Sequence, residues 1–250
     1  MHKFIKLLWL ITSALSIGCT TTEKDINWTA EEIHREARQH LEAKDWDTAI
    51  EYYNTLERRY PYGTYAEQSK LELIYAHYKN GQSGLAISAA NDFIFLYPTH
   101  PRADYAHFFK AVAMFDTSTT LFREISGVSS IKLDITPATH SFEALNDFVT
   151  QYPESSYIPE ARERMRDILE IIASHEIAVG KHYYDLGAYV AALARAKYVI
   201  ENYPETAAVE DGLGLMLLTY EKMELMDLFF DTKRIMEQNY PNSFYLPRDS

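Results

Sequence analysis

The dipeptide Tyr-Pro recurs in this chain at Tyr60-Pro61, Tyr97-Pro98, Tyr152-Pro153, Tyr203-Pro204 and Tyr240-Pro241. Proline has no N–H to continue a helix, and its ring disfavours helical dihedrals in the residue before it, so each pair reads as a helix stop. The position twelve before each Pro is Ala49, Ala86, Ser141, Ala192 or Phe229, and the position five before is Leu56, Phe93, Phe148, Val199 or Met236. Positions twelve, eight, five and one before the Pro are four, three and four residues apart, which places them on one stripe of a helix. A small residue opens that stripe in four of five copies, allowing a neighbouring helix to approach closely. Each copy is predicted to be a helix with a built-in terminus.

Successive Tyr-Pro pairs are 37, 55, 51 and 37 residues apart, and the shorter interval accommodates one further helix and two turns. This resembles the helix–turn–helix period of tetratricopeptide repeats. The first copy has Ala37, a tight turn at Lys44–Asp45, then Trp46, Ala49, Tyr53 and Pro61; the second has Gly81 at the turn and Ala86 at the small position. The predicted fold is all-α, an α-solenoid of about five tetratricopeptide-type hairpins, because one repeat cannot bury its own apolar face and stacked neighbours can. An irregular helical bundle is the alternative. Repeats one and two are assigned to residues 28–116 and repeats three to five to 138–246. The longer intervals locate an insertion at 117–137, rich in Ser, Thr and β-branched residues and expected to be a loop with a short helix. They also locate a long first helix in the fourth unit, from about Pro159 to Asp185 and closed by Gly187. That helix would run about 40 Å and join the two halves. Thr29 with Glu32 three residues later reads as a capping box at the start of the fold.

The N-terminus has Lys3 and Lys6, an apolar run from Leu7 to Ile17, then Gly18 and Cys19, the only cysteine in the sequence. The run is too short to cross a bilayer, which needs about 20 residues, and reads as a signal peptide over 1–18. The stretch resembles a bacterial lipoprotein box, with Ser16 standing where Leu is usual. That resemblance implies cleavage before Cys19, lipid on its sulfur, and a flexible tether over 19–27. Thr20, in place of a retention Asp, implies the outer membrane, facing the periplasm. A plain secretory signal with a chance cysteine is the alternative. Removing 1–18 takes the formal net charge from −12 to −14, a surface that repels phosphate backbones and argues against nucleic acid. A single cysteine leaves no disulfide framework.

Motifs of catalysis are absent. His175-Glu176 resembles the start of a zinc-protease motif, but Val179 stands where the second histidine is needed. His175 and His182 are seven apart without a third ligand aimed at them, so solvated or core histidines are the better reading. Gly212-Leu213-Gly214 lies in an apolar helical stretch and not after a strand, and the mixed charges of 160–167 read as an exposed helix face. The chain is therefore read as a non-enzymatic binding protein with no cofactor beyond a covalent lipid.

The 19 tyrosines and 12 phenylalanines are more than the Tyr-Pro stops explain. Tyrosine joins an apolar ring to a polar tip and suits peptide recognition. Tyr62, Tyr65, Tyr75, Tyr78, His100 and Tyr105 are the candidate peptide-binding groove of the first two repeats, with packing between helices as the alternative. In the fourth repeat Ala188, Ala191 and Tyr198 surround Arg195, giving small side chains beside one cation and one aromatic. Arg195 and Tyr198 are the candidate docking residues, the guanidinium forking onto a partner carboxylate. The alternative is an Arg solvated or paired with a nearby acid such as Glu201.

The ordered series of Cys19, Arg59-Tyr-Pro-Tyr-Gly-Thr-Tyr65, Leu73-Ile-Tyr-Ala-His-Tyr-Lys-Asn80, Pro98-Thr-His-Pro101, Tyr152-Pro-Glu-Ser-Ser-Tyr157 and Tyr183-Tyr184 before Gly187 resembles the BamD family. These are tetratricopeptide lipoproteins of the outer-membrane β-barrel assembly machinery. The resemblance covers nearly the whole chain. It implies docking to the periplasmic domains of the barrel-forming assembly subunit through the C-terminal half, by an arginine at the position of Arg195. It also implies that the N-terminal groove meets extended segments of accessory lipoproteins or of unfolded outer-membrane proteins. In the insertion this chain reads Ser129-Ser-Ile-Lys-Leu-Asp-Ile-Thr-Pro137, whereas members often have an Asp/Arg-rich stretch. A peptide-binding scaffold of another envelope complex shares the predicted fold, and a cell-wall enzyme with an unfamiliar site is the alternative of a different class.

Overall fold

The computed structural model describes residues 27–124 and 134–246. The stretch read as a signal peptide, Cys19, all of the expected tether except Asn27, and the middle of the expected insertion lie outside the described residues. Ten helices form five hairpins among the described residues. These are α1 (Ala30–Glu42) with α2 (Trp46–Arg59), α3 (Thr64–Lys79) with α4 (Ser83–Leu96), α5 (Ala103–Glu124) with α6 (Thr136–Gln151), α7 (Ile158–Asp185) with α8 (Tyr189–Asn202), and α9 (Ala208–Lys222) with α10 (Met226–Asn239). The fold is an all-α tetratricopeptide-type solenoid.

Two kinds of turn build it. Between the helices of a hairpin, Lys44, Gly81, Gly187 and Glu224 adopt φ of 62°, 72°, 75° and 58°. In the first of these, Lys44 N–H donates to the Leu41 carbonyl and Asp45 N–H to the His40 carbonyl. This pairing defines the Schellman motif, and it repeats after α3, α7 and α9. Between hairpins, each Tyr before Pro leaves the helix at φ between −125° and −135°, its own N–H still donating to the carbonyl four residues back. In four of the five, the N–H three residues after that Tyr donates to its carbonyl, closing a β-turn with Pro at the second position.

The small-residue stripe is the contact surface. Ala49, Ala86, Ser141 and Ala192 are fully buried, as are Tyr53, Ala90, Leu145 and Ala196 four residues on. The fifth copy departs: Phe229 and Lys233 are only half-buried, because among the described residues no further helix packs on α10. In its place the segment after Tyr240 folds back, and Tyr245 lays its ring on Gly214, where any side chain would collide with it. The Tyr245 hydroxyl is hydrogen-bonded to Asp211.

The segment expected as a loop over 117–137 is helical at both ends. α5 continues to Glu124 and α6 begins at Thr136, so the boundary placed at 116/117 falls inside the first helix of the third repeat. Ser and Thr cost a helix only a few tenths of a kcal/mol each, and no Gly or Pro lies between Thr117 and Gly127. The long helix α7 has 28 residues, about 42 Å. Its first half enters the core of repeats two and three through Ile168 and Ile172. Its second half packs through Ala173 and Ile177 on Val199 and Ala208. The capping box is present, with Glu32 N–H donating to the Thr29 hydroxyl and Thr29 N–H to the Glu32 carboxylate.

Candidate functional site

The first helices of successive repeats pack directly on one another, α1 on α3 and α3 on α5, and so form the inner face of the N-terminal half. On α3, Tyr65, Gln68, Glu72, Tyr75 and Lys79 follow at intervals of three and four, which sets them on one face. Between α1 and α3 a cavity of about 510 Å³ opens, lined by Glu31, His34, Arg35, Arg38, Gln39, Glu42, Tyr65 and Gln68. Its floor is polar and ordered by Glu72. That carboxylate accepts from the Tyr53 hydroxyl at 2.9 Å, lies 2.9 Å from His34 Nε2 and is 3.8 Å from Arg38 Nε. Burial first, and then the neighbouring Glu72 charge, push the Tyr53 phenol well above its ordinary range. It therefore stays a donor. The Tyr65 ring lies 5.4 Å from the His34 ring.

Further along α3, Tyr75 and Tyr78 both pack their rings 5.6 Å from Phe109 of α5, and Tyr105 lies 4.6 Å from the same ring. Lys79 Nζ sits 5.4 Å from each of the first two rings, and the Arg102 guanidinium 4.7 Å from Tyr105. Tyr105 is buried, and that burial, with Tyr157 beside it, raises its phenol pKa.

The six residues expected to share one groove thus occupy three places. Tyr65 lines the α1–α3 cavity. Tyr75 and Tyr78 are half-buried around Phe109, with Tyr105 beneath them as core and not as an anchor. The other two lie at the inter-repeat turns. Tyr62 is 89% exposed on the turn after α2. His100 braces the turn after α4, its ring 5.2 Å from Phe93, its Nε2 3.8 Å from Glu67 and its Nδ1 accepting from Arg102 N–H. The cavity's main lining, His34, Arg35 and Arg38, was not among the expected residues. Its signal was present: Glu31, His34, Arg35, Arg38 and Glu42 share one side of α1 by spacing.

In the fourth repeat Arg195 Nη1 donates to Glu176 Oε2 at 2.6 Å. The partner is therefore on α7, and not the Glu201 that sequence proximity suggested. Glu176 is buried while the Arg195 side chain is 42% exposed. The hydrogen bond to Glu176 holds the guanidinium pKa up. Tyr198 is exposed, its ring 5.8 Å from Tyr203. Desolvation, then the Tyr198 hydroxyl, raise the Tyr203 phenol. Ala188 and Ala194 are exposed beside them and Ala191 is half-buried, leaving a shallow face with the outer edge of Arg195 and the Tyr198 ring upon it.

A stack of five helical hairpins, with an open polar groove on its inner face and a small-residue face in the fourth repeat, is a tetratricopeptide-type scaffold. The chain belongs to the YfiO family of outer membrane lipoproteins, whose model matches residues 27–236. It is 30% identical over 249 residues to the outer membrane protein assembly factor BamD of Neisseria gonorrhoeae, covering 96% of this chain and 93% of that protein. The BamD proteins of Vibrio cholerae and Haemophilus influenzae are 28% and 29% identical, over 95% and 98% of this chain and 99% and 94% of theirs.

Proposed function

We propose that this chain is a non-enzymatic assembly factor for outer-membrane proteins, held at the periplasmic face of the outer membrane by lipid on Cys19. In this reading the cavity between α1 and α3, with the rings of Tyr65, Tyr75 and Tyr78 along α3, receives extended peptide segments. The C-terminal half docks on the periplasmic domains of a barrel-forming subunit through the face around Arg195 and Tyr198. The observation that carries the reading is the α1–α3 cavity. It sets two guanidinium groups, Arg35 and Arg38, near the Tyr65 ring and the Glu72 carboxylate, which suits a peptide with both polar backbone and aromatic side chains. The names of the relatives support the assembly role.

Co-purification from detergent-solubilised membranes tests the assembly role: the expected outcome is recovery with a large β-barrel subunit, and recovery without one would sink it. The groove is tested by titrating peptides with aromatic termini against the soluble domain. Tyr65→Ala and Arg35→Ala are each expected to weaken binding by about 2 kcal/mol, with helicity unchanged. Wild-type affinity in both variants would move the peptide site elsewhere.

A further inference from the structure

The inter-repeat turns of the N-terminal half lie along one edge of the solenoid, and the described chain starts at that same edge. The Trp28 carbonyl accepts from the Tyr60 hydroxyl at 2.9 Å and from Arg59 at 3.1 Å, so the first described residues sit against the turn after α2. His100 in the turn after α4 reaches Glu67 in the first turn of α3. Ser155 in the turn after α6 donates to Asp104 in the first turn of α5 at 2.6 Å. Three successive turns are therefore level with one another and with Trp28. The C-terminal half is set back from this edge. Ala207 N–H donates to Glu170, which lies twelve residues into α7, about 18 Å from its start.

This level edge carries large apolar side chains that no described residue covers. Tyr62 is 89% exposed, Phe95 84% and Leu96 52%. Phe95 and Leu96 end α4, and Tyr62 follows the adjacent Tyr60-Pro61. The edge also gathers Arg58, Arg59 and Arg102 against Glu67, Asp92, Asp104 and Glu154, close to balance in a chain of net charge −12. An anionic layer repels such a nearly balanced edge only weakly. From Cys19 to Asn27 is eight residue steps, at most about 28 Å even when fully extended. A lipid on Cys19 thus keeps the start of this edge within about 28 Å of the bilayer.

We infer that the edge bearing Tyr62, Phe95 and Leu96 lies on the phospholipid surface, with those side chains in the headgroup region. Tyr62, an aromatic ring with a polar tip, favours that layer, and Phe95 and Leu96 gain by leaving water there. Contact there fixes the rotation of the solenoid about its tether, turning the hairpin turns at Lys44, Gly81 and Gly187 away from the membrane. The inference rests on the lipid anchor proposed above.

The test uses the full lipidated protein on vesicles of phosphatidylethanolamine and phosphatidylglycerol containing lipids spin-labelled near the headgroup. Cys19 is acylated, so a cysteine placed by Tyr62→Cys, Phe95→Cys or Leu186→Cys is the only free thiol for an environment-sensitive dye. Leu186 is 67% exposed at the opposite edge and serves as the reference. Dyes at 62 and 95 are expected to be quenched at least threefold more than the dye at 186. Equal quenching at all three sites, with the protein floating with the vesicles and its helicity intact, overturns the membrane-facing edge and leaves the anchor standing. Failure of the lipidated protein to float overturns the anchor, and the inference falls with it.

Discussion

A carboxylate as enclosed as that of Glu176 needs a cation, and Arg195 supplies it across the α7–α8 contact. This changes what a charge reversal at 195 measures. Arg195→Glu would set two carboxylates against each other, one of them buried, and leave Glu176 without its hydrogen-bond donor. The expected loss of stability is about 1–3 kcal/mol, below that of a fully buried pair because the guanidinium is partly in water. Chemical denaturation should show it, and pairing Arg195→Glu with Glu176→Arg should recover part. An unchanged midpoint in the single variant would mean that the pair contributes nothing to the fold. Tyr198→Ala is the cleaner probe of the proposed docking, since Tyr198 is exposed and holds no buried charge. At this scale the sequence was only partly readable. Spacing located Arg195 and Tyr65 on outward faces, but no spacing rule brings residue 176 to residue 195, or Glu72 to His34 and Tyr53. Those pairings exist only after helices far apart in the chain are packed.

Each hairpin turn solves the same geometric problem, and two of the four Schellman turns solve it with the wrong residue. Lys44 and Glu224 hold φ near +60°, where a Cβ costs about 1–2 kcal/mol, while Gly81 and Gly187 pay no such cost. Part of any gain from glycine is lost to the greater freedom of the unfolded chain. Lys44→Gly and Glu224→Gly are therefore each expected to stabilise the protein by about 0.5–1 kcal/mol, and Gly81→Ala or Gly187→Ala to destabilise it by about 1 kcal/mol. Urea midpoints at constant m-value check this. A loss of stability in both glycine variants would show that their side chains make contacts worth more than the strain. The elements themselves were the most legible part of the chain. A Tyr-Pro stop and a small-residue stripe are local signals; five helices end at the stop and four of them carry the small residue. The helical extension of α5 to Glu124 was not legible, because weak helix formers without a Gly or Pro carry no stop signal and the continuing hydrogen-bond ladder decides.

The two halves of the molecule are joined by one helix that belongs to both cores. Ile168 and Ile172 of α7 are buried with Phe108 and Phe148, whereas Ala173 and Ile177 are buried with Val199 and Ala208. No loop intervenes between these sets, so the angle between the halves is carried by an unbroken backbone ladder. That continuity fixes the proposed peptide groove of repeats one and two relative to the proposed docking face of repeat four. The ladder can be cut without touching either core. Ser174 is exposed and adjoins Ala173 at the changeover between the two buried sets. Ser174→Pro removes the hydrogen bond from residue 174 to the Glu170 carbonyl and forces a kink, at a cost of about 3 kcal/mol or more. The expected result is a single unfolding transition in the wild type and two in the variant, the N-terminal and C-terminal halves melting apart. Small-angle scattering should show a broader range of distances between the halves, while peptide titration of the groove retains its wild-type affinity. A variant that still unfolds in one step with an unchanged scattering profile would mean that contacts outside α7 set the geometry. Coupling of groove and docking face would then lie in the contact between hairpins, and not in the strut.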